Sequence, residues 1–145
     1  MDRRLVIYRV LAGTTALVLA PGLLTSCEKA GIETEPPVPK GPVLNNDLNI
    51  DLSLNEYSVL NNTGGSKVVN GIIIVNMGSN GFIALASACT HQGTQISFSN
   101  KSNNFVCPTH GSVFSTNGSV IQGPASIALK SYNVARSGNI LTITE

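Results

Sequence analysis

The sequence predicts an all-β domain over residues 43–145, preceded by an apolar leader and a proline-rich segment. Short runs of Ile, Val, Leu and Phe recur along this part of the chain. Each run is bounded by Gly, Asn or Ser, as is typical of strands joined by turns. No segment after the leader repeats its apolar residues at the 3.6-residue period of a helix. These three observations indicate many short strands and an antiparallel arrangement.

The first half of this domain predicts a meander of strands. Residues 45–55 place a leucine or isoleucine at alternate positions, which indicates an outer strand. Residues 72–75 are a continuous β-branched run, which is typical of a strand buried on both faces. The other predicted strands are residues 57–60, 67–70 and 82–86, with turns at 61–65 and 78–81.

The second half continues the pattern. Asn117-Gly118 is the strongest two-residue hairpin signal, since both residue types tolerate the backbone of a tight turn. The predicted strands are residues 94–98, 104–106, 112–114, 119–122, 127–134 and 139–144.

Residues 1–26 predict a signal peptide. Arg3 and Arg4 give the chain a basic start, and residues 10–24 carry no charge. This run is shorter than the roughly 20 residues that a membrane span needs, and it suits a signal-peptide core. The arginine pair is compatible with the twin-arginine route, which exports folded proteins, and equally with the general secretory (Sec) route.

The leader ends in Leu24-Thr25-Ser26-Cys27, which resembles the bacterial lipobox. We therefore predict cleavage before Cys27 and lipid attachment to its thiol, the alternative being a simple secretory signal with a chance cysteine. Residues 27–42 contain four prolines and predict a semi-extended tether. The expected location is the cell envelope, in a membrane-anchored lipoprotein on the periplasmic or outer face.

The charge of the domain is balanced. Residues 43–145 hold four Lys or Arg and four Asp or Glu, so the formal net charge is zero. A neutral domain has no long-range field to attract phosphate backbones, so we expect no nucleic-acid partner.

Two short motifs contain both histidines and two of the three cysteines. Cys89-Thr90-His91 is followed, after fifteen residues, by Cys107-Pro108-Thr109-His110. One alternative is coincidence, but it leaves unexplained why both histidines and two of the three cysteines fall in paired short motifs. A zinc site would use the same donor set, although zinc motifs usually pair Cys with Cys and His with His. A [2Fe–2S] centre with two Cys on one iron and two His on the other accounts for a mixed pair in each loop.

Residues 82–122 resemble the cluster-binding subdomain of Rieske proteins. Residues 89–93 resemble the first loop of that family, residues 107–112 the second, and residues 122–125 the proline loop that covers the cluster. The resemblance implies a small antiparallel β-sandwich with a cluster-binding subdomain and one Rieske-type [2Fe–2S] cluster. By position, the inner iron would be held by Cys89 and Cys107, and the outer iron by His91 and His110.

Further positions of the resemblance concern the redox potential. Ser112 matches the family serine whose hydroxyl donates to the cluster, although it could also be a solvated turn residue. Phe114 lies where high-potential members have Tyr, and Thr94 and Thr109 lie where subunits of cytochrome bc complexes have a disulfide. With the donor at Ser112 kept and the Tyr donor lost at Phe114, the resemblance implies an intermediate potential. The missing disulfide argues against a quinol-oxidising subunit.

The expected function is one-electron transfer in an exported, lipid-anchored protein. No catalytic apparatus is visible, and about 100 residues after the tether are too few for the large second domain of an oxygenase. We expect redox partner proteins, either for a free-standing carrier or for the small subunit of a membrane oxidoreductase. The alternative is a zinc-stabilised structural lipoprotein with no redox role.

Overall fold

The computed structural model describes residues 41–145. The predicted signal peptide, Cys27 and nearly all of the predicted tether lie outside the described residues. Within them we find strands and two short 3₁₀ helices, and no helix long and apolar enough to cross a membrane. The strands are β1 (Leu48–Asp51), β2 (Ser66–Val69), β3 (Ile72–Asn76), β4 (Phe82–Ala86), β5 (Ser97–Ser99), β6 (Asn104–Val106), β7 (Val113–Phe114), β8 (Val120–Gln122), β9 (Ser131–Ser137) and β10 (Ile140–Thr144), and the 3₁₀ helices are η1 (Asn55–Asn61) and η2 (Gly78–Asn80).

The strands form two antiparallel sheets. The larger sheet has the order β1-β10-β9-β4-β3-β2, and the smaller has the order β5-β6-β7-β8. The smaller sheet is inserted between β4 and β9, which pair with each other in the larger sheet. The all-β, antiparallel prediction is therefore confirmed.

Strand β3 separates two hydrophobic cores. Ile72 and Ile74 point into the core of the larger sheet, while Ile73 and Val75 point towards the smaller sheet. All five residues of β3 are buried, as the continuous β-branched run predicted. The second core extends from β3 to Phe105 and Phe114, so the smaller sheet packs directly on the larger one.

Two predicted strands at the start of the domain differ from the structure. Residues 57–60 are part of η1 and not a strand: Leu60 is buried in the first core, and Tyr57 packs against that core while partly exposed. The buried Asn76 amide donates to the Leu60 carbonyl at 2.7 Å and fixes that turn. The outer strand is restricted to β1, because the Asp51 carboxylate accepts hydrogen bonds from the N–H and hydroxyl of Ser53 and turns the chain away from β10.

The hairpin and strand boundaries in the second half also differ. The two-residue Asn-Gly turn is at Asn70-Gly71, where both residues have positive φ (49° and 78°), between β2 and β3. Asn117-Gly118 instead lies in a longer loop, closed by the hydrogen bond from Ser115 N–H to the Ser119 carbonyl at 2.9 Å. The strands predicted at residues 94–98 and 127–134 begin later, as β5 and β9.

Candidate metal centre

Two loops at one end of the smaller sheet have the same backbone geometry. We call residues 89–94 the first loop and residues 107–112 the second loop. In the first, Cys89 N–H donates to the Thr94 carbonyl (2.8 Å) and Gly93 N–H donates to the Cys89 carbonyl (2.7 Å). In the second, Cys107 N–H donates to the Ser112 carbonyl (2.8 Å) and Gly111 N–H donates to the Cys107 carbonyl (3.0 Å). The two motifs of the sequence therefore fold into repeats of one structure.

Glycine is required in both loops by the backbone conformation. Gly93 and Gly111 have φ of 76° and 73°, in the left-handed region that side chains disfavour. A Cβ atom at either position would have no neighbour within 4 Å, so space is not the constraint. In each loop the glycine also donates its N–H to the carbonyl of the cysteine, which closes the loop.

The two cysteine side chains are free, buried and adjacent. Cys89 is 2% exposed and Cys107 is 1% exposed. Burial raises the pKa of Cys89, and the neighbouring Cys107 raises it further. Burial acts to raise the pKa of Cys107, but hydrogen bonds from the Thr109 backbone, the Cys89 side chain and the His110 backbone together lower it. The second loop therefore favours thiolate at Cys107, whereas burial disfavours it at Cys89.

The two imidazoles lie outside the cysteines. His91 and His110 are both exposed, and their ring centroids are 4.9 Å apart in an edge-to-face arrangement with an interplanar angle of 81°. Each histidine belongs to the same loop as one of the cysteines. The structure therefore brings all four predicted ligands together, with the sulfurs inside and the nitrogens at the surface.

This donor arrangement fits a [2Fe–2S] cluster of mixed ligation. Within residues 41–145, no three His, Cys, Asp or Glu side chains surround one point as a single-ion site would require. The donors instead form a Cys–Cys pair and a His–His pair. In a Rieske cluster each iron takes only two protein ligands, so a pairwise arrangement is what the group requires.

Ser112 is fully buried beside the cysteines and is not a solvated turn residue. Its Oγ accepts a hydrogen bond from the N–H of Ala125 at 3.0 Å. Its own proton therefore remains available, and the hydroxyl donates towards the Cys89 sulfur, which opposes the effect of burial on that pKa.

The third loop, residues 123–129, completes the site beside the first two. It starts with a cis peptide bond between Gly123 and Pro124, and Pro124 is exposed while Ala125 is buried. The bond from Ala125 N–H to Ser112 Oγ places this loop, with part of the motif at residues 122–125, beside the second loop.

Side-chain hydrogen bonds that the sequence did not indicate connect the three loops in pairs. The hydroxyls of Thr94 and Thr109 are 3.0 Å apart and join the first loop to the second. Thr90 Oγ1 donates to the Ile127 carbonyl at 2.6 Å and joins the first loop to the third. Each partner is distant in sequence, so local patterns carry no signal for these contacts. A further bond runs from Gln122, just before the third loop, to the Gly111 carbonyl at 3.1 Å.

Known proteins share this domain. The family model of the Rieske [2Fe-2S] domain matches residues 51–133. The cytochrome b6-f complex iron-sulfur subunit of Prochlorococcus marinus (strain MIT 9301) is 40% identical over 58 residues, covering 40% of this chain and 33% of the relative. The subunit of the same description from Cyanothece sp. (strain PCC 7425 / ATCC 29141) is 27% identical over 111 residues, covering 72% of this chain and 62% of the relative.

A solved structure agrees at the level of the fold. The ferredoxin of carbazole 1,9a-dioxygenase from Nocardioides aromaticivorans IC177 superposes with a TM-score of 0.52 at 19% identity, covering 59% of this chain and 91% of that chain. The matches to the two cytochrome b6-f subunits cover a third to just under two thirds of those proteins. Because the family model covers more than half of the chain, the chain belongs to the Rieske [2Fe-2S] domain family and carries one Rieske-type [2Fe–2S] cluster.

Proposed function

We propose that this chain is an exported, lipid-anchored electron carrier whose cluster is held by Cys89, Cys107, His91 and His110. The observation that carries the proposal is the arrangement of these side chains, with two buried thiols and two exposed imidazoles in paired loops. When bound, the cluster supplies one-electron chemistry. The protein supplies the ligands, excludes water from the sulfurs and presents the imidazole edges to a partner.

The chain serves as a carrier and not as an enzyme in its own right. The curated relatives are described as iron-sulfur subunits of cytochrome b6-f complexes, which supports a role beside other redox proteins. Thr94 and Thr109 stand where the disulfide of the cytochrome bc subunits would lie, and their hydroxyls are hydrogen-bonded to each other. We therefore propose a Rieske protein without the loop disulfide, with a midpoint potential between the extremes of the family.

Two cysteine variants test the proposed ligands and the proposed lipid anchor separately. Cys89→Ser removes a proposed iron ligand, and Cys27→Ser removes the proposed lipid site while leaving the ligands intact. We expect Cys89→Ser to lose iron and the EPR signal of the dithionite-reduced protein, yet still to partition into detergent. We expect Cys27→Ser to keep two irons per chain and a low-average-g signal, and to move to the aqueous phase.

The results that contradict the proposal are distinct for each part. Stoichiometric zinc with no EPR signal in the parent protein would replace the redox function by a structural metal. An unchanged signal in Cys89→Ser would remove that residue from the ligand set. Detergent partitioning of Cys27→Ser like that of the parent would show that this residue carries no lipid. A redox titration at either extreme of the family would refute the intermediate potential.

A further inference from the structure

The exposed end of the smaller sheet carries no charged side chain. Six of the exposed residues of the three loops form the surface that we call the tip. The imidazoles supply polar ring edges, the prolines supply apolar surface, and one amide and one hydroxyl supply further hydrogen bonds. The tip consists of His91, Gln92, Pro108, Thr109, His110 and Pro124.

The lack of charge extends well beyond the tip. In the sequence from residue 68 to residue 129, Lys101 is the one Lys, Arg, Asp or Glu. About one residue in four is charged in an ordinary soluble domain, so roughly 15 would be expected in a segment of this length. The depletion is therefore a property of the whole smaller sheet and its loops.

Lys101 lies at the opposite end of the sheet from the tip. It is in the turn between β5 and β6, while the ligand loops precede β5 and follow β6. The chain from Asn103 to Cys107 covers about 13 Å at about 3.3 Å per residue. This exceeds the Debye length of about 8 Å at physiological salt, so the Lys101 charge is largely screened at the tip.

The other charges of the described residues belong to the larger sheet and its connections, where three cations and four anions leave a formal sum of −1. Residues 41–145 hold four cations and four anions, a formal sum of zero. Lys130 is paired with Glu145 at 2.6 Å, which leaves neither as a free charge. No long-range field therefore directs a charged partner towards the tip.

An exposed apolar side chain lies next to the tip. Ile121, on the edge strand β8 and two residues before Gly123, is 61% exposed. Ile140, on β10 of the larger sheet, is 37% exposed and offers a matched control. Apolar groups that are clustered at an exposed surface mark contact sites more often than isolated ones do.

From these observations we infer that the tip docks a redox protein whose own docking surface is uncharged. Charged surfaces would gain nothing from this tip and would lose hydration on contact, whereas an apolar and hydrogen-bonding surface is complementary to it. This inference rests on the proposed electron-transfer function. One electron passes from the reduced chain to the oxidised partner, and no bond is formed or broken.

The test measures second-order electron transfer by stopped flow. The reduced, cluster-loaded full chain is mixed with three purified cytochromes c of higher potential, whose haem-edge surfaces are basic, acidic and uncharged. Ionic strength is varied from low to high. We expect the uncharged cytochrome to react at least as fast as the other two, and each rate constant to change by less than about threefold, against the 10- to 1,000-fold that steering gives.

Charge variants locate the effect on the surface. Gln92→Glu and Lys101→Gln each change the net charge by −1, the first at the tip and the second at the far turn. At physiological salt, where the Debye length is about 8 Å, we expect Gln92→Glu to accelerate the reaction with the basic cytochrome and Lys101→Gln to leave it unchanged. Gln92→Lys should accelerate the reaction with the acidic cytochrome. We expect Ile121→Ser to slow the reaction with the uncharged cytochrome and Ile140→Ser to leave that rate unchanged.

Three results would overturn the inference. One is a parent rate constant that falls tenfold or more with salt for either charged cytochrome. Another is an equal response of Gln92→Glu and Lys101→Gln, and the third is an equal response of the two isoleucine variants. In each case a normal EPR signal would leave the proposed carrier function standing, whereas a protein without that signal would contradict the function itself.

Discussion

Replacing the buried serine of the second loop should lower the redox potential. In Ser112→Ala the side chain loses the hydroxyl that accepts the Ala125 N–H and donates towards the Cys89 sulfur. Negative charge on the sulfur atoms grows when the centre gains an electron, so a hydrogen bond to them favours the reduced state. Without the bond, reduction becomes less favourable.

The size of the shift follows from the strength of such a bond. A hydrogen bond to a charged group contributes about 1.5–3 kcal/mol. The bond exists in both redox states, so we take the lower value of about 1.5 kcal/mol for the difference between them. For a one-electron couple, 59 mV corresponds to about 1.4 kcal/mol, which gives a decrease of about 65 mV.

Potentiometric titration followed by EPR measures this shift. Ser87→Ala is the control, because Ser87 is also a buried serine but lies before the first loop. We expect the control to keep the parent potential. A Ser112→Ala midpoint within about 20 mV of the parent, in a protein with full iron content, would refute the assignment of the hydroxyl to the sulfur.

Three further changes test the contact between the first two loops, the second hydrophobic core and the Lys130–Glu145 ion pair. Thr94→Val removes the bond to Thr109, and we expect unfolding by urea to show a loss of about 0.5–1.5 kcal/mol with faster bleaching of the cluster. Phe105→Ala empties a fully buried position of the second core, and the same titration should show a loss of about 3–5 kcal/mol. The pKa of Glu145 is lowered by its hydrogen bond from Lys130, so its contribution to stability is present above the unfolded-state pKa and is lost as pH falls through the folded-state value. In Glu145→Gln the free energy of unfolding should fall less steeply as the pH is lowered. Equal slopes of that free energy against pH in the parent and the variant would contradict this prediction.

The sequence was sufficient to propose the four ligands, and to place them in two loops, because each Cys–His pair lies within four residues. A C-x-H or C-x-x-H motif places its donors in one loop, and the following glycine supplies the positive φ that closes it. Strand β3 was predictable for a similar reason, since a continuous β-branched run has few other stable environments. In both cases the information is local.

The contacts between the loops could not be predicted in this way. The Thr94–Thr109 bond spans 15 positions and the Thr90–Ile127 bond spans 37. Such bonds depend on the register of strands that the sequence pattern does not fix to the residue. For η1 the cause is different: residues 57–60 have the composition of a short strand, but they form a 3₁₀ helix that buries Leu60 and packs Tyr57 against the first core.

A tip without charge requires another means of meeting its partner. Electrostatic steering can raise association rates by 10- to about 1,000-fold, and this surface cannot use it. The predicted tether offers a replacement. Sixteen residues of proline-rich chain, from Cys27 to Pro42, reach at most about 50 Å at about 3.1 Å each. A partner held in the same membrane then meets the tip at roughly millimolar effective concentration. The proposed anchor and the neutral tip are therefore complementary, because restricting the search to one membrane removes the need for long-range attraction.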